Sequence, residues 1–278
     1  MTERRKILQR AASLREIDEI LGAMKSLAFV EVHRITTFID AQREAVGLIE
    51  SAAMDFLTSY GEHLPPSERA GDIICLLGAE RGLCGDFNGK LLEAAAGHAS
   101  ILAAAKRIMV VGTRLADAYS AEVHDTIEGP SVVEEVPAVI TRLLERLTAA
   151  LSEQVDQAQP VGLLILYQDA EGVRLRRLLP FTPSPVVAAH YAFSLQIQLA
   201  PSDLFHALVE HYLYGVLHAV FFESLLEENR QRLEHMQRAR DKLAENLSDL
   251  DRHQRKLRQE EITEEIELIL LSAGAVAD

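Results

Sequence analysis

The sequence predicts a small α/β domain inserted between two long terminal helices that wind around each other as an antiparallel coiled coil. Three observations carry this expectation. No glycine or proline interrupts the chain from Val216 to Ala273. Apolar residues recur at every seventh position near both ends. Between those ends, short continuous apolar runs alternate with helical patterns.

The uninterrupted run would span roughly 85 Å as a helix at about 1.5 Å per residue. Met236, Leu243, Leu250 and Leu257 form one line on it, and Leu233, Arg240, Leu247 and Gln254 form a second. Such a repeat buries a seam against another helix, and polar residues within the seam weaken packing while helping to fix register. The N-terminal helix supplies the matching seam. Ile7, Leu14, Leu21, Ala28, Ile35 and Ile49 keep one line, with Gln42 as its polar exception. Ile17, Met24, Phe38, Ala45 and Ala52 read as the second line three residues on, interrupted by Glu31. Gly22 and Gly47 are the soft spots. A strict seven-residue repeat implies a left-handed supercoil. A parallel homodimer is the rival arrangement. The organisation expected is a helix over residues 1–61, an α/β domain over 70–200 and a second helix over 203–275.

In the middle block, Pro65 and Pro66 mark a linker ending the first helix. Residues 73–77, 107–112 and 161–167 read as buried strands, and 175–179 as an edge strand before the proline-rich segment 180–185. Helices are expected near 89–105, 114–121 and 136–157. Buried strands alternating with helices indicate a parallel sheet covered on both faces.

The loop Glu80-Arg-Gly-Leu-Cys-Gly-Asp-Phe-Asn88 follows the first strand. Its two glycines do not make a dinucleotide fingerprint, and Gly89-Lys90-Leu91 is not a phosphate loop. Gly82 and Gly85 are instead expected to take backbone angles closed to other residues. Cys84 reads as a packed structural thiol rather than a nucleophile, for no histidine or acid partner is identifiable. Cys75 and Cys84 form neither a disulfide framework nor a metal-ligand set. His206, His211 and His218 are spaced by five and seven, where one helix face binds metal at three or four. Asp169 and Glu171 sit where acids cap a turn. No cofactor is expected.

Net charge is −14. Residues 1–60 hold 8 basic and 9 acidic side chains, and residues 203–278 hold 9 and 16, so half the excess lies on the last helix. That balance argues against nucleic-acid binding, which needs a net basic face. No apolar stretch reaches the roughly 18 residues that span a bilayer. Arg252, Arg255, Lys256 and Arg258 form a cationic band just before Glu260, Glu261, Glu264, Glu265 and Glu267. It is either a solvated face with weak ion pairs or a contact with a surrounding partner.

These parts resemble the gamma subunit of F-type ATP synthases. The loop 80–88 resembles that family's acidic-basic-Gly-Leu-Cys-Gly-x-Phe-Asn motif, the most specific match. Ile20-Leu-Gly-Ala-Met-Lys-Ser-Leu-Ala28 resembles an N-terminal family segment, with Ala23, Met24, Lys25 and Ala28 in place. Arg258-Gln259 with Ile262-Thr263 and Glu265 resembles the family's Arg-Gln-x-x-Ile-Thr-x-Glu stretch. Leu268 and Ser272 depart from the pattern and mark a divergent member, of the standard or an alternate, ion-translocating form. The resemblance implies a Rossmann-like inserted domain and a rotor shaft without an active site. It implies contact of Met24, Lys25, Arg252, Arg255, Lys256, Arg258, Gln259, Ile262, Thr263, Glu265 and Ile266 with an alpha3-beta3 hexamer. The apolar tail, continuing through Ile269, Leu270, Leu271 and Ala273, would serve as a bearing. It also implies packing on an epsilon subunit and on the c-ring of the membrane sector, at the cytoplasmic face of the inner membrane and peripheral to it. The alternatives are a coiled-coil scaffold or adaptor and an enzyme built on the α/β domain.

Overall fold

The computed structural model describes residues 3–61, 71–152, 161–180 and 196–274. The Pro65–Pro66 linker, residues 153–157 of the expected third helix, and the proline-rich segment after Pro180 lie outside them, as do the side chains of Leu270, Leu271 and Ala273. Helix α1 runs Glu3–Tyr60 and α6 runs Pro201–Gly274. Between them come β1 (Gly71–Leu77), α2 (Phe87–Gly97), α3 (Ala99–Ala103), β2 (Arg107–Val111), α4 (Thr113–Ala118), β3 (Asp125–Ile127), α5 (Val136–Ser152), β4 (Val161–Asp169) and β5 (Gly172–Leu179). The sheet order is β3-β2-β1-β4-β5. The first four strands pair in parallel and β5 is antiparallel to β4. This sheet with its crossover helices has the Rossmann-like character expected of the inserted domain. The expected helix 89–105 is broken at His98 into α2 and α3, and β3 has only one buried residue to announce it.

The chain divides into two compact units, and the division cuts both long helices rather than falling at their ends. Unit 1 gathers Met1–Ala28 and Leu233–Asp278, and unit 2 is Phe29–Arg232.

Within unit 2 the sheet is covered on both faces, because alternate residues of a strand point to opposite sides. Ile74, Leu76, Ile108, Val110, Leu164 and Leu166 pack with Phe87 and Leu91 of α2 and Leu115 of α4. Ile73, Cys75, Met109, Val111, Leu163 and Ile165 face Val139, Ile140 and Leu143 of α5. The same core takes in Ile35, Ile39 and Val46 of α1 and Val216, Val220, Phe221 and Leu225 of α6. The inner parts of the long helices are therefore core elements of the α/β unit, where the repeat alone suggested a free-standing seam. Gln42, the polar exception, donates from Nε2 to the carbonyl of Gly215 at 2.9 Å. Glu31, 9% exposed, accepts from the Val133 N–H at 3.2 Å, just before α5. Glu31 thus satisfies a backbone N–H at a helix start that burial would otherwise orphan, while Gln42 adds a second donor to a carbonyl inside α6.

Within unit 1 the helices run antiparallel. Arg4 pairs with Glu261 at 3.2 Å, Arg15 with Asp251 at 3.5 Å and Asp18 with Arg240 at 2.8 Å, so numbers rise along one helix as they fall along the other. Met236 is fully buried, and Leu243, Leu247, Leu250, Leu257, Ile7, Leu14 and Leu21 are half-buried. The second line on α1 requires a correction. Ile17 is 44% exposed and Phe38 55%, and Ala45 and Ala52 are also exposed; of this line only Met24, half-buried, and Glu31, buried, are withdrawn from solvent. The line with no exposed member lies four residues on from the first: Ala11 is buried and Asp18 and Lys25 half-buried and, in unit 2, Val32 is half-buried and Ile39, Val46 and Ala53 are buried. Positions three and four residues on flank the first line on opposite sides of a helix, and α6 packs on the latter side. Asp18 and Lys25 gave that side the more polar appearance.

Candidate functional site

Two surfaces carry the residues that the sequence singled out, one in each unit. In unit 2 it is the loop after β1. The backbone of Gly78 approaches α4 so closely that a Cβ there would stand 2.3 Å from that of Leu115. The loop then turns on Glu80. Its carboxylate accepts from the Thr113 N–H at 2.9 Å, the Thr113 hydroxyl at 2.8 Å and the Gly129 N–H at 2.8 Å. Burial pushes the Glu80 carboxyl up, but these donors outweigh it and hold it below the usual range. At the far end Asn88 accepts from the Ala79 N–H at 3.0 Å.

Left-handed backbone is found at Leu83 and Gly85, both with φ of 64°, and not at Gly82. The expectation for Gly85 matches this geometry, whereas Gly82 has another environment: its carbonyl, with that of Arg81, accepts weakly from the guanidinium of Arg232, at 3.4 Å each. Arg232 is itself gripped by Glu228 and by Asn229, the latter at 2.8 Å. Sequence reading missed this cluster, since three polar residues within one helical turn look like a solvated face. Burial pushes the Glu228 carboxyl up to about 7, against the lowering pull of Arg232. Cys84 is 6% exposed, and burial pushes its thiol up, which makes it a poor nucleophile at neutral pH. Asp169 accepts from the Glu171 N–H at 2.8 Å and pairs with Arg174 at 2.7 Å, so it shapes the β4–β5 turn.

In unit 1 it is the outer stretch of α6. Arg252, Arg255, Lys256, Arg258, Gln259, Ile262, Thr263, Glu265 and Ile266 are all exposed. Ile262 is 47% and Ile266 52% accessible, which sets large aliphatic groups beside the cationic band. The ion pairs Arg252–Asp249 at 3.3 Å and Lys256–Glu260 at 3.8 Å are local and solvated, hence weak. On α1, Met24 is half-buried and Lys25 donates to Gln237 at 2.5 Å. Among the described residues no group of three histidine, cysteine or acidic side chains could hold a metal ion.

Unit 1 is thus an antiparallel pair of helices and unit 2 an α/β unit. The ATP synthase family pattern matches residues 3–276. The chain is 24% identical over 296 residues to the ATP synthase gamma chain of Herpetosiphon aurantiacus, covering 100% of this chain and 99% of that one. It is 22% identical over 296 residues to the ATP synthase gamma chain of Caldanaerobacter subterraneus subsp. tengcongensis, covering 98% and 99%. In fold it resembles a chain of the Tetrahymena thermophila mitochondrial ATP synthase central stalk and c-ring structure, with a TM-score of 0.56 at 15% identity over 79% of this chain and 99% of that one. The chain belongs to the ATP synthase family as a gamma, rotor-stalk member.

Proposed function

We propose that this chain is a non-catalytic shaft that couples ion flow through a membrane sector to ATP synthesis or hydrolysis on an alpha3-beta3 hexamer. The observation that carries the proposal is the antiparallel pairing of α1 and α6 in unit 1 together with the exposed band and aliphatic groups of α6. A rod whose sides differ, set in a threefold ring, presents a different surface to each catalytic site. Each site is then biased toward a different conformation, and turning the rod moves the biases round the ring. That is population shift by differential contact. Arg252, Arg255, Lys256 and Arg258 supply cationic contacts to moving loops of the ring, with Gln259, Thr263 and Glu265 as polar partners. Ile262 and Ile266 form a bearing with little directional hydrogen bonding. Met24 and Lys25 contribute from α1. Unit 2 takes the role of the foot, packing on an epsilon subunit and the c-ring. Among the described residues no helix is long and apolar enough to cross a membrane. That supports a peripheral position, which we place at the cytoplasmic face.

Co-expression with the cognate alpha and beta subunits, followed by subunit counting, tests the reading. One copy per alpha3-beta3 is expected, and a free homodimer that leaves the hexamer bare contradicts it. Leu250→Pro then tests the shaft itself. Proline inside a helix costs about 3 kcal/mol or more, so ion-driven ATP synthesis should collapse while hexamer ATP hydrolysis survives. Undiminished synthesis would count against a load-carrying shaft.

A further inference from the structure

In unit 2, α1 carries a second apolar line besides the one that meets the core. Phe38, Ala41, Ala45, Leu48 and Ala52 are all exposed, Leu48 to 68%, and they follow one another in steps of three, four, three and four. Every other exposed residue of α1 between Ile35 and Ala53 is polar or glycine. Apolar side chains scattered singly over a surface are ordinary, whereas sorting onto one heptad line is the pattern of a face that receives another helix. The line is roughly 21 Å long at about 1.5 Å per residue. Its alanines let a second backbone come close between the larger Phe38 and Leu48, because the side chains at a contact set the distance between helix axes.

The two edges of the line differ. One closes on the protein itself, where Gln42 Nε2 donates to the Gly215 carbonyl at 2.9 Å and Ile49 packs against the core. The other edge is open and carries Glu44, which is exposed and makes no ion pair among the described residues. Asp40 stands one turn before it, 87% exposed. The nearest cation, Arg43, is drawn away to Glu223 of α6 at 2.9 Å and comes no closer than 3.9 Å to Asp40. An apolar line with one open, acidic edge calls for an occupant whose own edge is basic.

We propose that the line from Phe38 to Ala52 is a docking seam for one amphipathic helix of another subunit, with aliphatic residues at heptad spacing and lysine or arginine along the edge that meets Glu44. A second copy of this chain is the poorer occupant, since antiparallel pairing centred on Ala45 sets Glu44 against Glu44. An anionic lipid surface is disfavoured by the same acids and by the net charge of −14. The seam lies wholly within unit 2 and does not depend on the rotary reading.

Binding of a synthetic peptide to the full chain tests this, read by fluorescence anisotropy at physiological salt. The probe is a labelled helix of about three heptads with leucine on its seam and lysine on its edges. Saturable binding of one peptide per chain is expected. A peptide with glutamate on its edges, and a lysine peptide of the same composition in scrambled order, should each bind about tenfold more weakly or worse. Leu48→Asp adds a charge that attracts lysine at long range but removes an apolar contact from the seam, so it should weaken binding about tenfold or more. Ala45→Gln, which sets a bulky polar group on the line, should weaken it as well and serves if Leu48→Asp does not fold. Glu44→Lys should reverse the preference between the lysine-edged and glutamate-edged peptides. The proposal is overturned by the absence of saturable binding, by binding that the Leu48 and Ala45 variants leave intact, or by equal binding of the scrambled peptide. It is overturned equally if the chain dimerises, or binds phosphatidylglycerol vesicles, through a contact that Leu48→Asp abolishes, since the occupant is then a second copy or a lipid surface.

Discussion

The two units solve the same problem of holding long helices in opposite ways. In unit 2, α1 and α6 are pressed onto a sheet, and Ile35, Ile165, Val216 and Val220 are fully buried. In unit 1 the same helices have mainly each other. There Met236 is fully buried, the small Ala11 and Ala28 nearly so, and the seam leucines stay half in solvent. Apolar burial contributes in proportion to the area removed from water. Unit 2 therefore draws its stability from dense packing, and unit 1 draws it from many small contributions along a line. A packed core tolerates little volume change, whereas a seam left half in solvent has less packing to lose.

That contrast can be broken or sharpened by substitution. The largest difference should come from matched truncations. Ile165→Ala should cost about 2–5 kcal/mol in denaturant unfolding, as a buried methyl-rich side chain leaves a cavity. Leu243→Ala, already half-solvated, should cost clearly less, and equal losses would erase the distinction between the units. Next is Glu80→Ala, which strips partners from the N–H groups of Thr113 and Gly129. Each orphaned buried donor costs about 1–3 kcal/mol, so thermal stability should fall and proteolysis should open the loop 80–88 first.

A pH titration of stability gives a third, smaller effect. Glu228 has a folded-state value of about 7 against an ordinary 4.5, so the native state holds its proton more tightly. The associated stabilisation is complete below the ordinary value and is lost as pH rises through about 7. Glu228→Gln should flatten the melting-temperature slope across that window, and an unchanged slope would exclude this carboxyl as its source. The smallest effect expected is a gain. A Cβ added at Gly47 meets nothing within 4 Å. Gly47→Ala should therefore add up to about 1 kcal/mol from helix propensity alone, read as a rise in melting temperature.

The same contrast explains how much of the molecule was legible in its residues. Continuous apolar strands such as Ile73–Leu77 and Val161–Tyr167 announce themselves, because strands buried on both faces have no polar side. The line through Leu14, Leu21 and Ala28 was equally plain. Its companion was not, for Asp18 and Lys25 belong to the seam through hydrogen bonds to α6, and a periodicity of apolar residues cannot register a paired polar one. Ile17 and Phe38 looked like seam residues on hydropathy yet face solvent. The burial of α6 against the sheet was hidden for a related reason: a helix that changes partners along its length keeps its period. Around Cys84 the glycines were visible as turn signals, but Leu83 carries one of the two left-handed conformations and Arg232 reaches the loop across 150 residues of chain.

The rotor reading is most directly tested by single-molecule rotation. The cognate alpha3-beta3 would be fixed to a surface, this chain assembled into it, and a probe attached to an exposed cysteine introduced in unit 2. With ATP supplied, the account predicts stepwise turning in one direction, with three equivalent pauses per revolution. A probe that only fluctuates about a fixed angle, while the bound hexamer hydrolyses ATP at full rate, would contradict it.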